Sequence, residues 1–89
     1  SGTDTALGEA LRCAALFATP DEAAALLARA VRHLEVSPSA YEHALARHDH
    51  GVALGSRTEL SRAAALATAC GADVLAARAR RALSDLPRR

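Results

Sequence analysis

Three histidines, His43, His48 and His50, lie close together in the chain, with Glu42 and Asp49 beside them. Side chains of these types bind metals and transfer protons. On a helix, His43 and His50 share a face two turns apart, whereas His48 points elsewhere. Zinc sites on helices use histidines four residues apart, and that spacing is absent. The pattern therefore predicts no metal site, with these histidines at surface or partly buried positions.

Patterns of catalytic residues are missing as well. The chain has no serine elbow, no phosphate-binding glycine loop and no ordered set of Cys, His and Asn. Asp49 lies beside two histidines, but no nucleophile is near it in the sequence. The other acidic residues are scattered singly, which disfavours a general acid–base pair. The sequence predicts a protein that is not an enzyme and uses no cofactor.

The charges are balanced except near the C-terminus. Eleven basic residues, all arginines, face ten acidic ones, for a formal net charge of +1, which excludes a broadly basic nucleic-acid surface. In the last stretch, five arginines stand against Asp85 alone: Arg78, Arg80, Arg81, Arg88 and Arg89. Arginine is favoured near the C-terminus of a helix by the helix dipole, and contact with nucleic-acid phosphates is the alternative.

Helices must carry all of these side chains. Alanine and leucine account for 24 and 13 of the 89 residues, and only Phe17 and Tyr41 are aromatic. Alanine and leucine lead the helix-propensity scale, whereas the residues that favour strands are scarce. The composition predicts one all-α domain over residues 1–89 and excludes β and parallel α/β folds. A chain this short buries a thin core, so we expect further burial against an oligomer partner or the rest of a longer chain.

The two cysteines and the termini bear on the cellular setting. Cys13 and Cys70 each lie among alanines, which predicts small buried residues and no disulfide framework. The longest uncharged run, residues 63–72, is too short to span a bilayer, and no segment resembles an export signal. The start at Ser1, without Met, suggests a piece of a longer protein. Together these features predict a cytoplasmic protein with no membrane partner.

Five short antiparallel helices are expected, at about 4–18, 20–36, 39–54, 57–70 and 74–86. Thr19 and Glu22 have capping-box spacing, as do Ser56 and Glu59. The third helix begins in one of two ways, capped by Ser37 or by a box of Ser39 and Glu42. Its inward stripe is expected to be Tyr41, Ala44, Leu45, His48 and Val52.

The fourth and fifth helices meet at a glycine. Gly71 is placed to end the fourth helix in a left-handed conformation, and Asp73 is placed to cap the fifth. Gly51, near the end of the third helix, either weakens that helix or allows a neighbour to pack closely.

Two sets of residues match the intervals of tetratricopeptide repeats, in which small residues let two helices approach each other. One set is His50-Gly51, Leu54, Ala63, Ala67 and Cys70. The other lies 40 residues earlier and comprises Ala10-Leu11, Ala14, Ala23, Leu27 and Ala30. The intervals predict tetratricopeptide-like helical hairpins.

Residues 21–31, 45–54 and 67–83 resemble recurrent helical segments of actinobacterial LuxR-type regulators. In the large ATP-binding, MalT-like members, this stretch precedes a C-terminal helix-turn-helix. The resemblance implies a helical-repeat scaffold, but the turn at residues 55–58 is shorter than usual and His50 replaces a leucine. No nucleotide-binding Gly-Lys motif and no DNA-reading domain are present, so neither ATPase activity nor base recognition carries over.

The resemblance implies a binding or relay role in a transcriptional regulator. That role covers protein–protein contact, sensing of a small-molecule inducer, or self-association, with DNA reached only through another domain. A groove between the first and third helices would carry it. The polar groups best placed there are Arg12, Tyr41, Arg47, His48 and His50.

A helix-turn-helix DNA-binding or adaptor module is the alternative function. It would use the fourth and fifth helices, which meet at Cys70-Gly71-Ala72, with Arg78, Arg80 and Arg81 on phosphates. Ala77 and Arg80 occupy positions where a recognition helix usually needs larger apolar residues. This alternative predicts binding that depends steeply on salt.

Overall fold

The computed structural model describes residues 2–88 and contains five α-helices in that range. They are α1 (Gly2–Ala15), α2 (Pro20–Glu35), α3 (Ala40–Leu54), α4 (Arg57–Ala69) and α5 (Asp73–Asp85). The all-α prediction is confirmed, and the helix bounds lie within three residues of those expected. None of the described helices has both the length and the apolar character needed to cross a bilayer.

The caps explain where the helices begin. Thr19 and Glu22 form the expected reciprocal capping box at α2. At α3 the N-cap is Ser39, whose hydroxyl accepts a hydrogen bond from the backbone N–H of Glu42. Ser56 caps α4 in the same way, through the N–H of Glu59. In these last two caps the glutamate carboxylate binds an arginine elsewhere, so only half of each box forms.

The expectation that Asp73 caps α5 is wrong. Gly71 adopts the expected left-handed conformation, with φ of 77°, and the N–H of Ala72 bonds to the carbonyl of Ala67. This closure leaves Ala72 as the N-cap, with no side-chain hydrogen bond, and makes Asp73 the first residue of the helix. A carboxylate in the first turn is still favoured by the helix dipole.

The helices pack as successive hairpins around α3. Each helix packs against the next in the chain, and both α1 and α5 also contact α3. Over the described residues, α2 and α4 do not touch each other. Asp4 at the start of α1 bonds to His33 near the end of α2, so this pair runs antiparallel. The molecule is a flat array, 38 × 31 × 17 Å in extent.

The core is divided in two by α3. One cluster joins α2 to α3 through Ala30, Val31, Leu34 and Ala46, with Leu11 of α1 packed against it. The other joins α3, α4 and α5 through Ala44, Ala67, Leu75 and Ala76. Gly8 packs against Leu34, and Gly51 packs against Leu60, so Gly51 serves close packing.

The expected inward stripe of α3 is only partly correct. Ala44 and His48 are buried, but Tyr41 and Val52 are exposed. Arg47, which lies outside that stripe, is buried instead. The reason is that α3 contacts all four other helices, so its buried positions do not form a single stripe.

The prediction of buried cysteines is wrong, because Cys13 and Cys70 are both exposed. Cys13 lies on the side of α1 that faces away from α2. Cys70 lies beyond the last buried residue of α4, Ala67, and its thiol contacts the Ala67 carbonyl at 3.6 Å. An alanine-rich neighbourhood in the sequence does not reveal either location.

Candidate functional site

Two polar clusters lie along α3, and each joins this helix to its neighbours. The Arg47 cluster consists of Arg47, His43 and His50 of α3 with Glu35 of α2 and Glu59 of α4. The Arg12 cluster consists of Arg12 of α1 with Glu42, His48 and Asp49 of α3. Because α3 is the central helix, its polar side chains find partners on three other helices.

Arg47 is the centre of the first cluster and is only 7% exposed. Its Nη1 donates to Glu59 Oε2 at 2.6 Å, and its Nη2 donates to Glu35 Oε2 at 3.0 Å. Its Nε donates to Nε2 of His43, one helical turn earlier, at 2.9 Å. His50 bonds through Nδ1 to the other oxygen of Glu59 at 3.2 Å. Two carboxylates thus neutralise one buried guanidinium, as burial of a charge requires.

The same contacts set the protonation of the cluster. Burial, and then the positive charge of Arg47, lower the pKa of His43 below its ordinary value of 6.5. A neutral ring is also the form that accepts the Arg47 Nε–H. Burial alone would raise the pKa of Glu59, but the hydrogen bonds and charges of Arg47 and then His50 hold it below its usual value.

The Arg12 cluster clamps α1 onto α3. Arg12 Nη1 donates to Glu42 Oε1, and its Nε donates to Asp49 Oδ2, each at 3.2 Å. His48, itself buried, bonds through Nδ1 to Asp49 Oδ1 at 3.2 Å. Burial would raise the pKa of Asp49, but the hydrogen bond from His48 and the charge and hydrogen bond of Arg12 lower it.

These clusters satisfy their own polar groups. Within residues 2–88, no buried side-chain nitrogen or oxygen lacks a hydrogen-bond partner. His48 and His50 each form a histidine–carboxylate pair, yet no described serine, threonine or cysteine is bonded to either ring. In the same range, no three metal-binding side chains converge on one point.

Of the five polar residues assigned to a single groove, four divide between the two clusters. Arg12 and His48 belong to one cluster, and Arg47 and His50 belong to the other. Tyr41 is 48% exposed and belongs to neither. The three arginines of the alternative function, Arg78, Arg80 and Arg81, are exposed on α5.

A groove next to the Arg47 cluster was not predicted from the sequence. It has a volume of about 340 Å³, and we call it the α3–α4 groove; its lining is His43, Arg47, Arg62, Ala65, Leu66 and Ala69. Arg62, Ala65 and Ala69 are exposed, so the groove is open to solvent. The sequence held a signal for this groove, because Arg62, Ala65 and Ala69 are three and four residues apart. That spacing aligns them along one outer face of α4.

Comparison with protein-family models, curated protein sequences and solved structures finds no match for this chain. The geometry of the site and its chemistry are therefore what support a function.

A second depression lies where α4 begins and α5 ends. It has a volume of about 460 Å³ and is lined by Arg57, Leu83, Ser84, Leu86 and Arg88. Two guanidinium groups at this end add to the positive charge that α5 displays on its outer face. No described histidine lines the depression.

Proposed function

We propose that this chain is a non-catalytic protein-binding scaffold, a helical-repeat part of a cytoplasmic LuxR-type regulator. Its α3–α4 groove receives an acidic amphipathic segment of a partner protein. The observation that carries the proposal is the groove itself, in which an apolar strip ends at Arg62, an arginine with no acidic partner among residues 2–88.

The charges of the groove favour a carboxylate. Arg47 is already neutralised by Glu35 and Glu59. Arg62 is exposed and makes no ion pair with any described residue. One positive charge at the rim is therefore available to a ligand, and a bidentate arginine–carboxylate contact supplies both energy and orientation.

The shape of the groove favours a protein segment over a small-molecule inducer. Pockets for small molecules enclose most of the ligand surface, whereas this groove is open along α4. Ala65, Leu66 and Ala69 form a shallow apolar strip of the kind on which one face of an amphipathic helix can lie. A helix that places leucines on this strip and a glutamate near Arg62 satisfies both features.

A non-catalytic role is supported by the way the titratable groups are used. The histidines of α3 hold carboxylates or accept from Arg47: His50 binds Glu59 of α4, and the other two support side chains of α3 that bind neighbouring helices. Catalytic bases are instead poised beside a nucleophile or a substrate.

The proposal is tested by titrating ¹⁵N-labelled protein with an amphipathic helical peptide that carries leucine on one face and glutamate at its edge. A second peptide, with glutamine in place of glutamate, measures the contribution of the charge. We expect NMR shift changes centred on Ala65, Leu66 and Ala69, and weaker binding of the glutamine peptide.

Two matched variants decide where the peptide binds. Ala65→Glu places a negative charge in the groove and is expected to abolish binding. Ala77→Glu makes the same change at an exposed site on α5 and is expected to leave binding unchanged. Shift changes outside the groove, or equal binding by both variants, would contradict the proposal.

Binding to a DNA backbone by α4 and α5 is a second candidate function, favoured by one observation. Arg78, Arg80 and Arg81 are all exposed and form no ion pairs with described residues. Ala77, like Arg80, is exposed, so these two positions do not supply the apolar packing usual in a recognition helix. Fluorescence anisotropy with a labelled duplex at several salt concentrations tests this candidate. Steeply salt-dependent binding that Arg78→Gln and Arg81→Gln weaken would support it, and no binding at low salt would exclude it.

A further inference from the structure

One face of α1 packs against the rest of the protein, and the opposite face is exposed to solvent. The packed face holds Asp4, Thr5, Gly8, Leu11, Arg12 and Ala15, which are buried or half-buried. The opposite side is exposed along its whole length. It holds Thr3 and Glu9 and, between and beyond them, an apolar strip of Ala6, Leu7, Ala10, Cys13, Ala14 and Phe17. Phe17 is 90% exposed. The N–H groups of Leu16 and Phe17 bond to the carbonyls of Cys13 and Ala14, so this face continues beyond the end of the helix.

Apart from Glu9 at its edge, the exposed side of α1 carries no charged residue, in contrast to the other outer helices. The exposed side of α2 includes Arg29 and Arg32, that of α4 includes Arg57 and Arg62, and that of α5 includes Arg78. In a helical array, an end that faces water is normally covered by a polar surface. α5 has such a surface, whereas on α1 the polar residues Thr3 and Glu9 leave the strip from Leu7 to Phe17 apolar. An uninterrupted apolar face on a small protein marks a place where another molecule binds.

The chain's own surfaces show what can cover that face. The charged outer sides of α2 and α5 would have to lose their hydration without gaining partners, which disfavours contact with them. Contact of α1 with the α3–α4 groove of another copy would be heterologous and would not close a dimer. The middle of α3 is already covered by its neighbours. The outer face of α1 thus offers a second copy a surface that matches it in both chemistry and length.

The spacing on α1 is also symmetric. Leu7, Ala10, Ala14 and Phe17 are separated by three, four and three residues. When two copies of this helix run antiparallel about a two-fold axis that crosses the outer face at the level of residue 12, Leu7 lies opposite Phe17 of the second copy. Ala10 then lies opposite Ala14. The small residues at the centre let the two helices approach to about 8 Å, and the large residues fill the ends.

From these features we propose that the protein forms a two-fold dimer through antiparallel pairing of α1 with α1 of a second copy. This interface lies on a different helix from the α3–α4 groove and does not depend on the function proposed for it. A buried phenylalanine supplies about 150–250 Å² of contact area. Two of them, with two leucines and the alanine strip, approach the roughly 1,000 Å² of a specific interface, so the dimer is a weak one.

Mass measurement and cross-linking test the dimer together. Sedimentation equilibrium from low micromolar to sub-millimolar protein is expected to show a monomer that becomes a dimer and nothing larger. Cys13 lies one residue from the proposed axis, so its two copies are neighbours, whereas Cys70 is on another helix. A short bismaleimide is therefore expected to link Cys70→Ser protein into dimers, and to link Cys13→Ser protein much less.

A matched pair of charge variants completes the test. Ala10→Glu puts a carboxylate on the centre of the face and is expected to give a monomer at every concentration. Ala77→Glu is expected to dimerise like the parent, and circular dichroism checks that both variants are folded. The proposal is overturned by a parent that stays monomeric, by a dimer that survives Ala10→Glu, or by equal cross-linking through Cys70. A mass that keeps rising beyond the dimer also overturns it, because α1 would then contact a different surface of the next copy.

Discussion

Glu59 lies at the third position of α4, yet its carboxylate is 2.6 Å from Nη1 of Arg47 on α3. Its backbone N–H still bonds to Ser56, so one residue both caps α4 and holds the buried guanidinium. Glu22 has the same position in α2, but its carboxylate returns to the backbone N–H of Thr19 in an exposed capping box. The two glutamates therefore occupy the same position at the start of a helix. The carboxylate of Glu59 binds a neighbouring helix, whereas that of Glu22 binds the cap of its own helix.

Glu59→Gln is expected to lower the free energy of unfolding by about 1–3 kcal/mol, because Arg47 keeps only one carboxylate while it stays buried. Glu22→Gln is the matched control and is expected to cost less than about 1 kcal/mol, as is usual for an exposed cap. Urea unfolding followed by circular dichroism measures both values. Equal losses in the two variants would mean that the contact with Arg47 contributes nothing.

The stability of the protein is expected to fall as the pH is lowered through 6.5, the ordinary value for histidine. The pKa of His43 is lower in the folded chain, so below 6.5 the unfolded chain takes up more protons than the folded one. His43→Gln keeps an acceptor for Arg47 but cannot titrate. The stability of this variant is therefore expected to lose the part of its pH dependence that comes from His43. Urea unfolding at a series of pH values measures the free energy of unfolding of both proteins. The same pH dependence in the variant as in the parent would contradict its assignment to His43.

A second loss of stability is expected at lower pH from two carboxylates. The pKa values of Asp49 and Glu59 are held below their ordinary values of 3.8 and 4.5. Their contribution is complete above these values and disappears as the pH falls through the lower folded-state values. Glu59→Gln is expected to reduce this acid-induced loss in the same series of unfolding measurements, whereas Glu22→Gln is not.

Gly8→Ala and Gly51→Ala are expected to destabilise the protein, although alanine usually stabilises a helix. A Cβ at residue 51 would lie 2.8 Å from Leu60 Cγ and 3.1 Å from the Leu60 backbone nitrogen, and one at residue 8 would collide with Leu34. Both leucines are fully buried and cannot turn away. The expected cost is about 1–3 kcal/mol each.

Gly2→Ala is the control for these two changes, since no atom lies within 4 Å of its new Cβ. Its melting temperature is expected to stay the same or rise slightly. A rise for Gly51→Ala would show that the α3–α4 contact is looser than the structure has it.

Arg12→Gln is expected to loosen α1 from α3, because the variant loses the charge that holds Glu42 and Asp49. These three side chains are one-fifth to one-third exposed, so the expected loss is about 1 kcal/mol. Amide hydrogen exchange should become faster in α1 and stay the same in α4 and α5. Arg29→Gln, at an exposed position on α2, is expected to change neither.

The sequence predicted local structure well because the signals are local. Thr19, Ser56 and Gly71 mark helix ends through their own side chain or backbone, and the structure has them in those roles. The apolar spacing of α2 predicts an inward stripe of Leu26, Leu27, Ala30, Val31 and Leu34. Four of these are buried and Leu26 is half-buried. α2 lies beside α3 and packs with one face, so a single apolar stripe describes its buried residues.

The candidate site could not be predicted in the same way, because it depends on which helices surround α3. Arg47 was expected to be available in a groove, and it is instead held by glutamates twelve residues away on either side in the chain. Arg12 reaches Glu42 from thirty residues away. Spacing along one helix carries no information about such partners, and an alanine-rich chain fits several arrangements equally well.

The order in which the helices pack has a kinetic consequence. The main interfaces join helices that are adjacent in the chain, and α3 and α4 are separated only by Gly55 and Ser56. Contacts that are close in sequence require small loops to close, so little entropy is lost before they form. Chains of this kind fold in microseconds to milliseconds. The α3–α4 hairpin, which has the shortest connection, is therefore expected to form early, with the neighbouring helices packing onto it.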